Sequence, residues 1–400
     1  MHGEECGRRV YIAVGAINVI RSITRPMPTR KITVLHVVHS LEPGGMENGL
    51  VNVARALTAR GFEFHVACLE RRGAFAERLP SPEHAFVLGK SRGFSPGAVW
   101  RLGRSISRLR PDLIHSHNLG PLIYSGLATY GGRRLPLIQG EHSQLTDAER
   151  SPRRLRQRRW LYRGCCAVHT VSAGMRDELL SLEFPSHKIT AITNGVDTSN
   201  FTPGDRAQAR ASLGLPPDAQ CLGIVGRFGP FKQHLQLIAA FEAIAAKFPR
   251  AVLLIAGSGG SEEASVIARA RASSVRQRIH LLGFQADPRA CFHTLDLLAI
   301  PSTNEGLSNV ALEAMACGVP VLGRAGVGHE QIITAGVDGW LSELNTVENL
   351  ATELTSILST PSRLVDFGAS ARKRVVEHFS LASMTDAYEH LYRTCARAQT

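Results

Sequence analysis

Short, nearly continuous hydrophobic runs alternate along the chain with longer segments in which hydrophobic residues recur every three or four positions. The first run, Ile32–His39, is β-branched and typical of a strand buried on both faces of a parallel sheet. Pro43-Gly44-Gly45 follows, and a helical pattern then extends from Met46 to Ala59 and ends at Gly61. Phe62–Leu69 is the next strand-like run. This order predicts the opening of a doubly wound α/β domain.

The same alternation fills the first half of the chain and then restarts. A stretch rich in Pro and Gly at 202–219 is predicted to cross between the two halves. The chain is therefore expected to form two successive parallel-sheet domains with a helix at 382–400. Further strands are predicted at 113–115, 135–139, 166–172, 189–193, 221–225, 252–256, 279–282, 297–300 and 320–322.

Composition narrows the class of protein. The chain has 400 residues, of which 44% are hydrophobic, so it can form real cores. Its eight cysteines are scattered without a CxxC pair, which argues against structural zinc and fits reduced thiols in a cytosol. The formal charge of +12 would suit a nucleic-acid-binding protein. Only 6% of residues are aromatic, however, so the aromatic side chains on which single-stranded bases stack are few, and such binding is not expected.

The first 30 residues differ from the rest of the chain. The apolar run Val10–Ile20 is too short to span a membrane, and no small-residue cleavage site follows it. Met27 lies just before the first convincing strand. We expect residues 1–28 to be a loose extension or a start-site artefact, with a helix on a membrane surface as the alternative.

Ligands of open parallel sheets bind beyond the carboxyl ends of the strands, so the loops there are the places to search. Gly44 and Gly45 would let backbone N–H groups approach a phosphate or a sugar. Arg227 and Lys232 follow the first strand of the second half, and two cations there suit a diphosphate. No P-loop, complete dinucleotide fingerprint or Asp-x-Asp motif is present in the sequence.

The segment Pro301–Pro320 is the most specific in the chain. Glu305 lies in a polar loop after a strand, and Glu313 lies eight residues later in a helix predicted to begin near Ser308. The N–H groups around Leu307 and Ser308 form an anion site at the start of that helix. Carboxylates beside an anion site indicate a ligand that carries hydroxyl groups as well as phosphate.

Three histidines lie near strand ends in the first half. His142 ends the Gly-Glu-His turn and is the preferred functional residue, ahead of His117, whereas His115 is still within a strand. Their spacing does not match a metal site, so no metal is expected.

The Glu305–Val321 segment resembles the retaining family-4 glycosyltransferases of the GT-B fold, whose hallmark is two glutamates separated by seven residues in an E-G-x-S context. The loop His39–Glu47, the run Asn194-Gly-Val-Asp197 and Gly226-Arg-Phe with Lys232 are also similar to this family. The resemblance covers about residues 31–395 and is greatest to sugar transferases of bacterial exopolysaccharide clusters.

The resemblance implies a fold, a division of the chain and a set of roles. Two Rossmann-like domains would face each other across a cleft, an acceptor domain at 31–203 and a donor domain at 204–381, with the C-terminal helix packed back on the first. Arg227 and Lys232 would bind the donor diphosphate, and the remaining roles would fall as follows: Glu305 and His142 at the transferred sugar, Glu313 at the ribose, Gly44, Gly45, Leu307 and Ser308 at the sugar or phosphates, and Gly283 with Phe284 at the base.

The implied reaction moves a sugar from a nucleotide-sugar donor to a glycan or lipid-linked acceptor with retention of configuration and without a metal or other cofactor. Two alternatives remain open: a nucleotide-sugar 2-epimerase of the same fold, and a non-enzymatic sugar-binding protein. The expected location is the cytoplasm, on the inner face of the cell membrane.

A basic segment suggests how such a protein would reach a lipid-linked acceptor. Seven arginines and no acid lie within Arg150–Arg163, interleaved with Leu155, Trp160, Leu161 and Tyr162. One interpretation is a docking surface for an anionic leaflet. The other is a solvated helix whose apolar residues pack on its own domain.

Overall fold

The computed structural model describes residues 30–130 and 135–397. Apart from Arg30, the predicted extension 1–30 lies outside the described residues. Thirteen strands are present in the part described: β1 Ile32–Ser40, β2 Phe62–Arg71, β3 Ala85–Val87, β4 Leu113–His117, β5 Leu137–Glu141, β6 Ala167–Thr170, β7 Ile189–Ala191, β8 Gln220–Val225, β9 Ala251–Ala256, β10 Ile279–Gly283, β11 Leu297–Ile300, β12 Val321–Arg324 and β13 Gly339–Ser342.

The helices alternate with these strands. Within the described ranges the α-helices are α1 Gly45–Thr58, α2 Pro96–Leu109, α3 Leu119–Thr129, α4 Pro152–Arg163, α5 Ala173–Ser181, α6 Arg206–Ser212, α7 His234–Ile244, α8 Glu263–Ala272, α9 Arg289–Thr294, α10 Asn309–Ala316, α11 Val347–Leu358, α12 Pro361–His378 and α13 Leu381–Arg397.

Two parallel sheets organise the molecule, as predicted. The first has the order β3-β2-β1-β4-β5-β6-β7 and the second the order β10-β9-β8-β11-β12-β13. Every pairing between these strands is parallel. Strand order reverses between β1 and β4 in the first sheet and between β8 and β11 in the second. These are the switch points at which ligands of such sheets bind.

Helices cover both faces of each sheet, so the strands are buried on both sides. In the N-terminal domain, built on the first sheet, α1 and α13 cover one face and α2 to α5 the other. In the C-terminal domain, built on the second sheet, α7, α8 and α11 lie on one face and α9, α10 and α12 on the other. This two-sided burial explains why the strands read as continuous hydrophobic runs.

The chain passes between the domains twice, and the two crossings lie side by side. The N–H of Val196 donates to the carbonyl of Phe379, and the N–H of Leu381 donates to the carbonyl of Val196. A Cβ atom on Gly195 would collide with the carbonyl oxygen of Ser380, so only glycine fits this close approach. After the second crossing, α13 packs against α1 and β4 of the N-terminal domain, which confirms the predicted position of this helix.

Some elements were not predicted. The sequence pattern indicated neither the strands β3 and β13 nor the helices α2, α3, α6, α8, α9, α11 and α12, and β4 continues two residues beyond its predicted end. Among the described residues, no helix combines the length and the hydrophobicity needed to cross a membrane.

Candidate active site

The loops that follow β8 and β11 meet at the switch point of the second sheet. Lys232 lies in a short 3₁₀ turn after β8, and Glu305 lies in the loop after β11. The Lys232 Nζ atom donates to Glu305 Oε1 at 2.5 Å, and both side chains are less than one-fifth exposed. The two charged residues that the sequence singled out separately therefore form one ion pair.

Helix α10 begins directly beyond this pair. The Ser308 side chain caps the helix by accepting from the N–H of Ala311, and both Leu307 and Ser308 are buried. The positive end of the helix dipole thus lies close to Glu305 and Lys232. The N–H groups at this end of the helix, with the Lys232 ammonium beside them, suit a phosphate group.

The N-terminal domain comes into direct contact with this loop. A Cβ atom on Gly306 would collide with the carbonyl oxygen of His142, so the absence of a side chain lets the two backbones approach. Asn194 reinforces the contact by donating to the carbonyl of Leu307 at 3.4 Å. The predicted Glu305 and His142 regions are therefore brought together across the interface of the two domains.

Glu313 also faces the N-terminal domain. Asn48, in the first turns of α1, donates to Glu313 Oε1 at 3.3 Å, and Asn309 donates to the carbonyl of Gly45 at 2.8 Å. Burial raises the pKa of the Glu313 carboxyl to about 7, and Arg78 lowers it only in part. A carboxylate that is costly to ionise at this position is unusual for a surface helix and fits a group that accepts hydrogen bonds from a ligand.

His142 belongs to a network of buried imidazoles. His117 Nδ1 lies 2.8 Å from His142 Nε2, and His117 Nε2 lies 2.8 Å from His36 Nδ1. His115 lies beside them, 2.9 Å from both His169 Nε2 and the Tyr392 hydroxyl. Burial, reinforced by the neighbouring histidines, lowers the pKa of His142 and His117 well below the usual value. These imidazoles are therefore neutral at physiological pH, and His117 fixes the orientation of His142.

The same histidines were not expected to be a metal site. Ligand nitrogens of His36, His115 and His117 lie within 4.8 Å of one another, close enough to hold a transition metal. His36 Nδ1 and His117 Nε2 are hydrogen-bonded to each other, an arrangement that two neutral rings can adopt. The prediction of a metal-free reaction thus remains to be tested by experiment.

The other predicted residues lie around this centre. Gly44 precedes α1, and the Glu47 side chain folds back against it. Arg227 is exposed and close enough to Glu47 to favour the ionised carboxylate, although burial outweighs this effect and raises the pKa of Glu47. Gly283, with φ of +66°, ends strand β10 at the outer edge of the sheet, and Phe284 beside it is 48% exposed.

Three asparagines were missed by sequence reasoning. Asn48, Asn194 and Asn309 each make a side-chain hydrogen bond from one domain to the other. The only signal was their position: Asn194 and Asn309 lie inside segments that resemble the family, and Asn48 directly follows another. Neither spacing nor charge marked their amides as contacts between the domains.

The arginine-rich segment does not lie fully open to solvent. It forms α4, in which Leu155, Arg158 and Tyr162 are buried. Arg158 pairs with the buried Glu141 and with Glu149, and Tyr162 also donates to Glu141 at 2.5 Å. The prediction that all seven arginines form one docking surface is therefore wrong for Arg158, whose charge is used inside the domain.

Two protein families match the chain. The family described as "Glycosyltransferase Family 4" matches residues 43–200, and the family described as "Glycosyl transferases group 1" matches residues 205–374. The two matches follow each other along the chain: the first covers β2 to β7 of the first sheet, and the second covers all strands of the second sheet.

Curated relatives match about half of the chain. The "D-inositol 3-phosphate glycosyltransferase" of Rhodococcus jostii (strain RHA1) is 34% identical over 215 residues, which are 52% of this chain and 47% of that protein. The protein of the same name from Mycobacterium sp. (strain KMS) is 36% identical over 197 residues, 48% of this chain and 43% of its own length. The chain thus matches about half the length of these curated relatives.

Solved structures share the fold over nearly the whole chain. Anabaena HepE, crystallised with UDP and glucose, superposes with a TM-score of 0.79 at 22% identity and covers 91% of this chain and 100% of its own. Sucrose-phosphate synthase from Thermosynechococcus elongatus superposes with a TM-score of 0.76 at 22% identity, covering 92% and 100%. At this identity the likeness establishes the fold alone.

Proposed function

This chain belongs to the family 4 glycosyltransferases of the GT-B fold, and we propose that it transfers a hexose from a nucleoside diphosphate sugar to a hydroxyl group of an acceptor, with retention of configuration. The single observation that carries the proposal is the Lys232–Glu305 pair beside the start of α10. One cation and one helix N-terminus suit a diphosphate, and the adjacent carboxylate suits sugar hydroxyls.

The proposed chemistry follows from where the charges lie. As the bond between the sugar and the diphosphate breaks, negative charge grows on the diphosphate. Lys232, Arg227 and the N–H groups at the start of α10 stabilise that charge. The acceptor hydroxyl gives its proton to the departing phosphate oxygen while its own oxygen bonds to the sugar. The residues of the chain position the reactants and neutralise charge, and none of them needs to be covalently modified.

Retention is proposed from the resemblance to the retaining family-4 enzymes, and the arrangement of the carboxylates bears on its route. A double displacement needs a free carboxylate as nucleophile on the face of the sugar opposite the leaving group. Glu305 is already paired with Lys232, and Glu313 accepts from Asn48. This engagement supports attack from the same face as the departing diphosphate.

The test is a panel of nucleoside diphosphate sugars. The matching donor should raise the melting temperature by mass action, and sugar transfer should require an added acceptor. Release of nucleotide together with an isomerised sugar, without any acceptor, would instead identify the 2-epimerase alternative. Stabilisation by a sugar with no turnover under any condition would identify the binding-protein alternative.

Variants of the diphosphate cations make the test specific to the site. Lys232→Ala and Arg227→Ala should each weaken donor use by about 10–150-fold, since a charge-assisted hydrogen bond contributes about 1.5–3 kcal/mol. Arg250→Ala is the matched control, because Arg250 is an exposed cation of the same domain that pairs with Asp218. If a variant with both Lys232→Ala and Arg227→Ala were as active as Arg250→Ala, the assignment of these two cations to the diphosphate would be rejected.

The acceptor is proposed to be a glycan or a lipid-linked sugar in cell-surface or exopolysaccharide synthesis. The names of the curated relatives favour a phosphorylated cyclitol as the second candidate. Mass spectrometry of products formed with each acceptor class, using the donor found above, separates the two. A product with inositol phosphate and none with lipid-linked sugars would replace the first assignment.

The protein is proposed to be cytoplasmic and held peripherally at the inner face of the membrane. The basic surface of helix α4 supports the membrane contact, although it is smaller than the sequence suggested. Its exposed side carries Arg153, Arg156, Trp160 and Arg163, which recur at helical spacing. The exposed Trp100 of α2 lies on the same side of the first sheet. Each such arginine contributes about 1 kcal/mol at an anionic leaflet, and the attraction fades with salt.

Co-sedimentation with anionic vesicles tests this surface. The variant Arg153/Arg156/Arg163→Gln should bind more weakly than wild type at low salt. A matched variant, Arg250/Arg271/Arg276→Gln, removes three exposed arginines from the C-terminal domain and should bind like wild type. Equal loss in both variants would mean that only net charge matters, and the docking surface would be rejected.

A further inference from the structure

Two cysteines far apart in sequence lie in contact. Cys166 immediately precedes β6 of the N-terminal domain, and Cys395 lies near the end of α13. Their sulfur atoms are 3.0 Å apart, and the Cys166 thiol donates to the Cys395 sulfur. We propose that Cys166 and Cys395 are a redox-active dithiol that closes into a disulfide and fastens α13 to the N-terminal domain.

The exposure of the two cysteine residues sets the order of the steps. Cys166 is exposed, whereas Cys395 is only 5% exposed. A small disulfide such as glutathione disulfide therefore reacts first at Cys166. The hydrogen bond to Cys395, together with burial, raises the pKa of the Cys166 thiol, so this thiol loses its proton only as it attacks. This step forms a mixed disulfide and releases one glutathione, which takes up the thiol proton.

Cys395 completes the reaction from inside the domain. Its thiolate attacks the Cys166 sulfur, the protein disulfide forms, and the second glutathione leaves with the remaining proton. The overall change oxidises two cysteine thiols and reduces one glutathione disulfide to two glutathiones. In the free dithiol the hydrogen bond from Cys166 lowers the pKa of the Cys395 thiol, although burial opposes this. In the mixed disulfide Cys166 has no proton to donate, so the second step rests on the contact of the two sulfur atoms, which are 3.0 Å apart in the dithiol.

The neighbouring cysteine is differently placed. Cys165 is buried, donates to the carbonyl of Leu161, and has its pKa raised to about 12 by burial. It is adjacent in sequence to Cys166 but has the environment of an inert core thiol. The contrast makes Cys165 the natural control.

The closed disulfide would hold a helix that supports the histidine network. Tyr392, one turn before Cys395, bonds to His115, and Tyr388 packs beside His169. A link over such a long stretch of chain restricts the unfolded state strongly. We expect oxidation to raise the melting temperature by roughly 3–10 °C.

The experiment incubates the full chain with glutathione disulfide, counts thiols after denaturation, and maps the linked peptides by mass spectrometry. Wild type and Cys165→Ser should each lose two thiols, show a Cys166–Cys395 peptide and melt at a higher temperature. Cys166→Ser and Cys395→Ser should show neither the peptide nor the shift. An unchanged thiol count in wild type, or a glutathione adduct that persists on Cys166, would overturn the proposal.

Discussion

Glu313 offers a test in which stability and function should change in opposite directions. Its pKa is raised from 4.5 to about 7 in the folded protein, chiefly by burial. The folded state therefore binds a proton more tightly than the unfolded state. Between those two values the stability contributed by this carboxyl falls as the pH rises, because the unfolded chain ionises it freely and the folded chain does not.

The size of the effect follows from the shift. A difference of about 2.5 units corresponds to roughly 3 kcal/mol at pH 8, and less than 1 kcal/mol of it is present at pH 5. Glu313→Gln removes the ionisation but keeps an oxygen that can accept from Asn48. The variant should therefore be more stable than wild type by about 2–3 kcal/mol at pH 8 and nearly equal to it at pH 5.

The affinity for the donor, in contrast, should fall in the Glu313→Gln variant. A carboxylate accepts hydrogen bonds from hydroxyl groups more strongly than an amide does, so Glu313→Gln should raise the apparent donor constant by about tenfold. The measurements are melting curves at pH 5 and pH 8 and donor titrations at the same pH values. If the stability difference between variant and wild type were the same at both pH values, the assigned pKa and its cause in burial would be refuted.

Four further results are expected. Arg158→Ala should destabilise the protein by about 3–5 kcal/mol in urea unfolding, because it leaves the buried Glu141 unpaired. His117→Phe should lower kcat several-fold with little change in donor Kd, since it removes the bond that orients His142; a parallel change in both constants would point to a general loss of structure. Glu305→Gln should lower turnover more than it lowers nucleotide affinity, as measured by initial rates and calorimetry. Activity should survive excess EDTA, and loss of activity that Mg²⁺ or Mn²⁺ restores would contradict a metal-free reaction.

The architecture could be predicted because burial on both faces leaves a strong mark on sequence. Strands such as β8 and β9 are continuous hydrophobic runs, and their predicted bounds agree with the structure to within one residue. Strand β4 was cut short because its last residues, Ser116 and His117, are polar although they are buried. The short edge strand β13, three of whose four residues are only partly buried, carries no such mark.

The site could be predicted only where charge and glycine pointed to it. Lys232 and Glu305 were identified one by one, but nothing in the spacing indicated that they pair over 73 positions. Helix α4 shows the same limit. The seven arginines of Arg150–Arg163 look alike in sequence. Arg158 differs from the others because it pairs with Glu141, which lies on strand β5 and is buried in the same domain. Contacts between residues far apart in sequence decide which charged side chains are buried, and the local sequence pattern carries no information about those contacts.

Helix α13 belongs to the N-terminal domain but follows the C-terminal domain in sequence, and this order affects how the chain folds during synthesis. Met384, Tyr388, Tyr392 and Cys395 complete the hydrophobic cluster beneath β1 and α1. The ribosome makes these residues long after β7 (Ile189–Ala191) has emerged, a delay of roughly 10–40 s at ordinary rates of translation. The N-terminal domain must wait through that interval with part of its core open, and the C-terminal domain is made before the N-terminal domain can close. Folding of the two domains is thus ordered by topology, and a nascent chain stalled before α13 should expose the apolar surface that this helix later covers.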